Sequence, residues 1–145
     1  MINMNNDKKL DLQDIQQMFT ALTKKGAYEW NQLNQTDLYI THVLILQLLE
    51  EKGRQRPTIL AEELQITTGG ITGLTNKLVK EGLIRRSMSE QDRRVIFLEI
   101  TDQGKEVLTK VIKQKENLTE KLFGSLTDTD VKELKRILQL LLKSS

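Results

Sequence analysis

The 145-residue chain contains no cysteine, one proline and one histidine. Without cysteine there is no disulfide, no thiolate nucleophile, no iron–sulfur cluster and no cysteine-held zinc. The lone His42 leaves an imidazole zinc site short of ligands, so no metal or other cofactor is expected. No apolar run approaches the roughly 20 residues that span a bilayer, so no membrane partner is expected. Met1 to Lys9 is polar and lacks the apolar stretch of a signal peptide, which makes the cytoplasm the expected location. Catalytic equipment is missing as well. There is no Cys–His pair, no Ser–His pair with an orienting carboxylate, and no Gly-x-x-x-x-Gly-Lys phosphate loop. Glu50-Glu51 and Glu62-Glu63 are adjacent pairs that diverge on a helix, which suits a solvated surface. An enzyme is not expected.

What is present is a Leu-rich, charged composition. Hydrophobic residues make up 38% of the chain and charged residues 29%, enough for one mostly helical domain. The net charge of +2 is small, but its distribution is uneven. Between Thr68 and Arg94, Lys77, Lys80, Arg85, Arg86, Arg93 and Arg94 outnumber Glu81, Glu90 and Asp92. Local positive charge of this kind suits a polyanion.

Hydrophobic spacing predicts the elements. Leu12, Ile15, Phe19, Leu22, Trp30 and Leu33, with Gly26 in the same stripe, mark a long amphipathic helix. A helix from about Leu38 to Lys52 is apolar around much of its girth and is expected to be central; Gly53 ends it. Thr58 is the expected N-cap of a short helix, Ile59 to Gln65. Thr67 or Thr68 caps the next, which closes at Gly82 with Leu83 folding back. Two short strands around the polar stretch Met88 to Arg94 predict a β-hairpin, the second strand in Val95 to Ile100. Thr101 then caps a helix from about Asp102 to Phe123, and Thr127 caps a last one striped by Leu134, Ile137, Leu138, Leu141 and Leu142.

The fold class is therefore mainly α with a small β-hairpin. The two end regions carry apolar faces that the compact middle has little surface to cover, which predicts a homodimer. Leu12, Ile15, Phe19, Leu134, Ile137, Leu138 and Leu141 are its expected interface.

Three stretches, in order and at matching spacing, carry a resemblance to the MarR family of bacterial regulators. Leu60-Ala61-Glu62-Glu63-Leu64-Gln65-Ile66-Thr67 is similar to the family's first helix and turn of a helix-turn-helix. Ile71-Thr72 through Leu78, with Glu81-Gly82-Leu83-Ile84-Arg85-Arg86, resembles its recognition helix and first wing strand. Asp92-Arg93-Arg94, followed by Ile100-Thr101-Asp102-Gln103-Gly104, resembles its wing signature. The resemblance implies a winged helix-turn-helix domain over residues 8–143. Its DNA-binding lobe would cover about 38–101, flanked by N- and C-terminal dimerisation helices at about 10–34 and 102–143. This sequence departs from the family at Gly69, Gly70 and Gly73, where serine, threonine or arginine is common. Each glycine costs roughly 1 kcal/mol of helix propensity relative to alanine, which fits a helix backbone that approaches DNA closely.

The implied function is a sequence-specific regulator of transcription that binds double-stranded DNA at a pseudo-palindromic operator. Repression, relieved by a small aromatic or anionic effector, is the family's commoner behaviour. Thr67, Thr68, Gly69, Gly70, Thr72, Gly73, Asn76 and Lys77 are the expected major-groove and phosphate contacts of the recognition helix. Arg94, held by Asp92, would enter the minor groove, with Arg86, Ser87 and Arg93 on phosphates. Tyr28, Trp30, Tyr39 and His42 are candidate effector contacts. The rival reading is a winged helix that binds protein or RNA, and it calls for an apolar, uncharged wing.

Overall fold

A computed structural model of the chain describes residues 5–34 and 36–143. Its elements run α1 (Asn6–Leu33), α2 (Ile40–Lys52), α3 (Pro57–Leu64), α4 (Thr68–Lys80), β1 (Ile84–Met88), β2 (Ile96–Ile100), α5 (Asp102–Phe123) and α6 (Asp128–Lys143). This is the expected order of helices around one hairpin. The chain divides into two compact units. One is Asn34–Lys113; the other joins α1 to the remainder of α5 and to α6.

In the unit Asn34–Lys113, α2 is the central element, as its all-round hydrophobicity predicts. Val43, Ile45, Leu46 and Leu49 are buried, together with Leu60, Ile71, Leu78, Leu98 and Val111 of neighbouring elements. Burial on this scale is worth about 1.5–3 kcal/mol for each large aliphatic side chain. α3 starts two residues earlier than expected. Its N-cap is Arg56 rather than Thr58, because Pro57 stands at the first helical position. Proline brings a helical φ there, and its missing N–H would have lacked a helical partner anyway.

Both ends of the turn-and-helix segment are closed locally. Gln65 adopts a left-handed conformation after α3, and the Thr67 hydroxyl accepts the Gly70 N–H at 3.0 Å to start α4. At the far end Gly82 has φ +75°, its N–H bonds Val79 O at 3.0 Å, and Leu83 N–H bonds Leu78 O at 2.9 Å. This is the expected glycine stop.

β1 and β2 pair antiparallel, with Ile84 opposite Ile100, Arg86 opposite Leu98 and Ser87 opposite Phe97. Ile84, Leu98 and Ile100 are buried, so one face of the hairpin covers the core. Gln55 adds a one-residue third strand that sequence patterning did not reveal, exchanging two backbone hydrogen bonds with Leu98 at 3.0 and 2.8 Å. The hairpin is fastened to the end of α4 by the Thr101 hydroxyl. It donates to Gly82 O at 2.6 Å and accepts the Gly104 N–H at 3.0 Å, capping α5. Gly104 is required by close approach: a Cβ there would lie 2.1 Å from Leu83 O.

In the helical unit, Trp30 is buried and Lys121 pairs with Glu29 at 3.1 Å. α1 and α5 meet at Gly26, where a Cβ would make an ordinary contact with Leu122 at 3.5 Å. Thr127 caps α6 as expected, in a reciprocal box with Asp130. No residue of α6 is buried, although its apolar stripe is the sharpest of any helix here. Among the described residues, no helix is long and apolar enough to cross a membrane.

Candidate nucleic-acid interface

The first two turns of α4 present an unusually bare backbone. Thr67, Thr68, Gly69, Thr72 and Gly73 are exposed, and nothing lies within 4 Å of a Cβ built on Gly69 or Gly73. No contact among the described residues explains either glycine. Gly70 differs, because a Cβ there would crowd the capping Thr67 hydroxyl at 3.2 Å. Thr72 donates its hydroxyl proton to Thr68 O at 2.9 Å, which leaves its oxygen lone pairs and methyl group for an outside partner. The opposite face of α4 buries Ile71, Leu78 and also Thr75, whose hydroxyl is satisfied by Ile71 O at 2.8 Å. Threonine at a core position carried no signal in the hydrophobic pattern.

Asn76 and Lys77 are not free in this structure. The Arg86 guanidinium of β1 donates to Asn76 Oδ1. Lys77 Nζ is held by Asp37 at 2.7 Å and by Glu81 at 3.6 Å. The Lys77 hydrogen bond, ahead of its charge, holds the Asp37 carboxyl below its ordinary range, and the same bond raises the Lys77 ammonium. A lysine expected on phosphate is thus neutralised by its own chain, by an acid that is distant in sequence.

The hairpin tip is built around Asp92. Its carboxylate accepts the Arg94 backbone N–H at 3.0 Å and the guanidinium at 3.1 and 3.4 Å. Those bonds from Arg94, side chain first, hold the Asp92 carboxyl below its usual range; the nearby Arg56 adds to this. Ser89 braces the loop, its hydroxyl accepting the N–H groups of Gln91 and Asp92. The result is an arginine whose backbone and guanidinium are both held by Asp92 while 91% of its side chain remains exposed. Arg93 is exposed beside it. Ser87 differs from its expected role, since its hydroxyl oxygen is buried and has no partner among the described residues.

The four candidate effector residues have different settings. Trp30 is 4% exposed and Tyr28 62% in the helical unit. In the other unit Tyr39 is exposed and His42 is 2% exposed. His42 serves the backbone, because its Nδ1 accepts the Tyr39 N–H at 2.8 Å at the start of α2 and the two rings stack 5.4 Å apart. Burial pushes the imidazole below its ordinary range, with help from the Lys77 charge and against the pull of Asp37. The neutral ring is the form that can accept this bond.

The sequence model of the MarR family matches residues 38–96, from just before α2 to the first residue of β2. YpoP of Bacillus subtilis, described as an uncharacterized HTH-type transcriptional regulator, is 30% identical over 121 residues, covering 83% of this chain and 86% of YpoP. The chain belongs to the MarR family. As a MarR protein it is a DNA-binding transcriptional regulator, not an enzyme. The Escherichia coli K12 transcriptional repressor MprA is 29% identical over 107 residues, 71% of this chain and 61% of MprA's own length. The fold is that of an E. coli MarR cysteine-to-serine mutant solved in complex with operator DNA. That likeness has a TM-score of 0.79 at 19% identity, covering 91% of this chain and 96% of that one.

In this MarR protein, the exposed helix start and the arginine-tipped hairpin lie in the segment matched by the family. Among the residues that sequence reasoning passed over, Arg54 and Arg56 lie against the wing. Their guanidinium carbons stand 4.4 and 6.0 Å from the centre of the Phe97 ring. Arg-x-Arg before the proline was a local signal of charge, but nothing local placed it beside Phe97.

Proposed function

We propose that this MarR protein acts as a homodimer on a pseudo-palindromic operator. Each copy lays the glycine-opened start of α4 into the major groove and the Arg94 tip into the adjacent minor groove. The observation that carries this reading is the Asp92–Arg94 fork, an exposed cation aimed by its own loop. An arginine so presented suits the enhanced negative potential of a narrow, A·T-rich minor groove. A protein- or RNA-binding winged helix would instead call for an apolar tip.

Thr68, Gly69, Thr72, Gly73 and the Asn76 amide read or approach the base edges, while Thr67 and Gly70 form the helix N-terminus that faces a phosphate. Arg86 and Arg93 add phosphate contacts. Lys77 joins them only by giving up Asp37.

The second copy is argued from what one copy leaves uncovered. Ile15, Phe19, Ile137, Leu138 and Leu141 are exposed. A groove of about 430 Å³ between α5 and α6 is lined by Phe123, Leu126, Val131, Leu134, Leu138 and Leu142. Faces of this kind are covered in stable oligomers. The regulator works in the cytoplasm as a repressor, in keeping with MprA, and a small aromatic or anionic effector releases it by preferring the form that misfits DNA.

Selection of bound fragments from random duplexes, followed by a salt titration of the recovered site, tests the reading. A palindromic consensus with half-sites about one helical turn apart is expected. Affinity should fall steeply with salt. Affinity indifferent to salt, or no enriched duplex, would overturn it.

A further inference from the structure

Four cations on or near the wing are paired with carboxylates, while Arg86 and Arg93 have no such pair among the described residues. Lys52 is held by Glu63, Lys77 by Asp37, Arg85 by Glu99 and Arg94 by Asp92. Arg54 and Arg56 are different. Among the described residues neither lies within ion-pair distance of a carboxylate, and both are exposed. What orients them is backbone and an aromatic ring. The two hydrogen bonds between Gln55 and Leu98 extend the hairpin by one residue, so the side chains flanking Gln55 share the face of those flanking Leu98. Phe97 is one of these, and both guanidinium groups converge on it.

A guanidinium held on a ring keeps its full charge and its hydrogen-bond donors while losing little further freedom on binding. Two such groups near one ring repel each other; the Asp92 carboxylate, whose charge reaches Arg56 without pairing with it, and Glu99, already paired with Arg85, answer that only in part. Arg56 is also the N-cap residue of α3, so the positive end of that helix adds to the same field. A polyanion backbone is the ligand chemistry that matches this arrangement: repeated, singly charged and recognised by forked donors.

We propose that Arg54 and Arg56, seated on Phe97, form an additional phosphate clamp that grips the DNA backbone beside the wing. This rests on the DNA-binding reading above and extends the footprint to the segment before α3. The contacts are to phosphate, so they supply affinity and register but no base preference.

The test uses full-length protein and two labelled duplexes, one recovered by the selection and one of arbitrary sequence. Removing one phosphate-neutralising cation lowers the slope of log affinity against log salt by about 0.9. The double variant Arg54→Gln/Arg56→Gln should therefore lower it by roughly 1.8 on the recovered duplex, with the enriched consensus unchanged. Arg54→Lys/Arg56→Lys keeps the charges and should retain the slope. Phe97→Leu should weaken binding several-fold by loosening the two groups while leaving the slope near wild type. A purely structural role for the arginines would lower the melting temperature without moving the slope, and that result overturns the clamp. An unchanged slope in the glutamine variant, with wild-type binding steeply dependent on salt, overturns the clamp but leaves the operator reading intact. Wild-type protein that binds neither duplex overturns both.

Discussion

The Arg86 guanidinium on the first wing strand donates to the Asn76 carboxamide oxygen on the recognition helix. A guanidinium has only donors, so this contact fixes which end of the amide meets Arg86 and leaves the Asn76 Nδ2 donors outside it. Bidentate pairing with adenine needs both the oxygen and the nitrogen, and the oxygen's second lone pair lets Arg86 either share that acceptor or release it. The two residues should separate in a binding experiment. Asn76→Ala should erase the preference at one base position per half-site, costing about 1–3 kcal/mol there, with the salt slope unchanged. Arg86→Ala should lower the salt slope by about 1 and keep a preference at that position. Identical profiles for the two variants would show that the pair does not divide reading from gripping.

Arg94→Ala should weaken operator binding by about 1–3 kcal/mol with the melting temperature unchanged, because the side chain is 91% exposed and among the described residues its ion pair is with Asp92. Asp92→Asn should have a smaller effect of the same sign, since it loosens the arginine without removing it. Wild-type affinity in Arg94→Ala would remove the wing tip from the mechanism.

Gly69 and Gly73 offer a test in which stability and function move in opposite directions. Both sit in α4 with open space where a Cβ would go. Alanine at each should raise stability by about 1 kcal/mol through helix propensity alone. If DNA occupies that space, the same substitutions should weaken binding. Alanine variants that gain stability and bind as wild type would show that the bare helix start has another origin.

Leu138→Asp probes the uncovered helical faces. Leu138 is exposed in one copy and lines the α5–α6 groove. In a homodimer closed over that groove, the new charge would be buried without a partner, at a cost of about 3–5 kcal/mol. Sedimentation should then find monomers at concentrations where the wild type is dimeric. An intact dimer would contradict the assigned interface.

His42 makes stability depend on pH. Its ordinary value of 6.5 is lowered in the folded chain, by burial first. The unfolded chain therefore takes up the proton at higher pH than the folded one. Stability is complete above about 6.5 and declines as the pH falls through the lower folded value. Protonation also replaces the acceptor that meets the Tyr39 N–H with a second donor. His42→Gln keeps an acceptor of the usual capping type and cannot titrate. Melting temperatures compared between about pH 7.5 and about pH 5 should fall more for the wild type than for His42→Gln. Parallel curves would assign the acid sensitivity elsewhere.

Sequence alone determined the order of elements, because its signals act within a few residues of themselves. Gly82 closes α4, Thr101 and Thr127 open α5 and α6, and a change of hydrophobic period announces the hairpin. The Asp92–Arg94 fork was implied by the likeness of Asp92-Arg93-Arg94 to the family's wing signature, and the structure forms it between residues two positions apart. Thr58 misled as a cap because Pro57, one step ahead, already suits the first helical position. Tertiary structure decided what distant side chains do to one another. It tied Lys77 to Asp37, joined Arg86 to Asn76, buried Thr75 and His42, and set Arg54 and Arg56 against Phe97. Those outcomes depend on which faces the packed core brings together, and no local pattern of polarity encodes the partner that a charged side chain meets once the chain has folded.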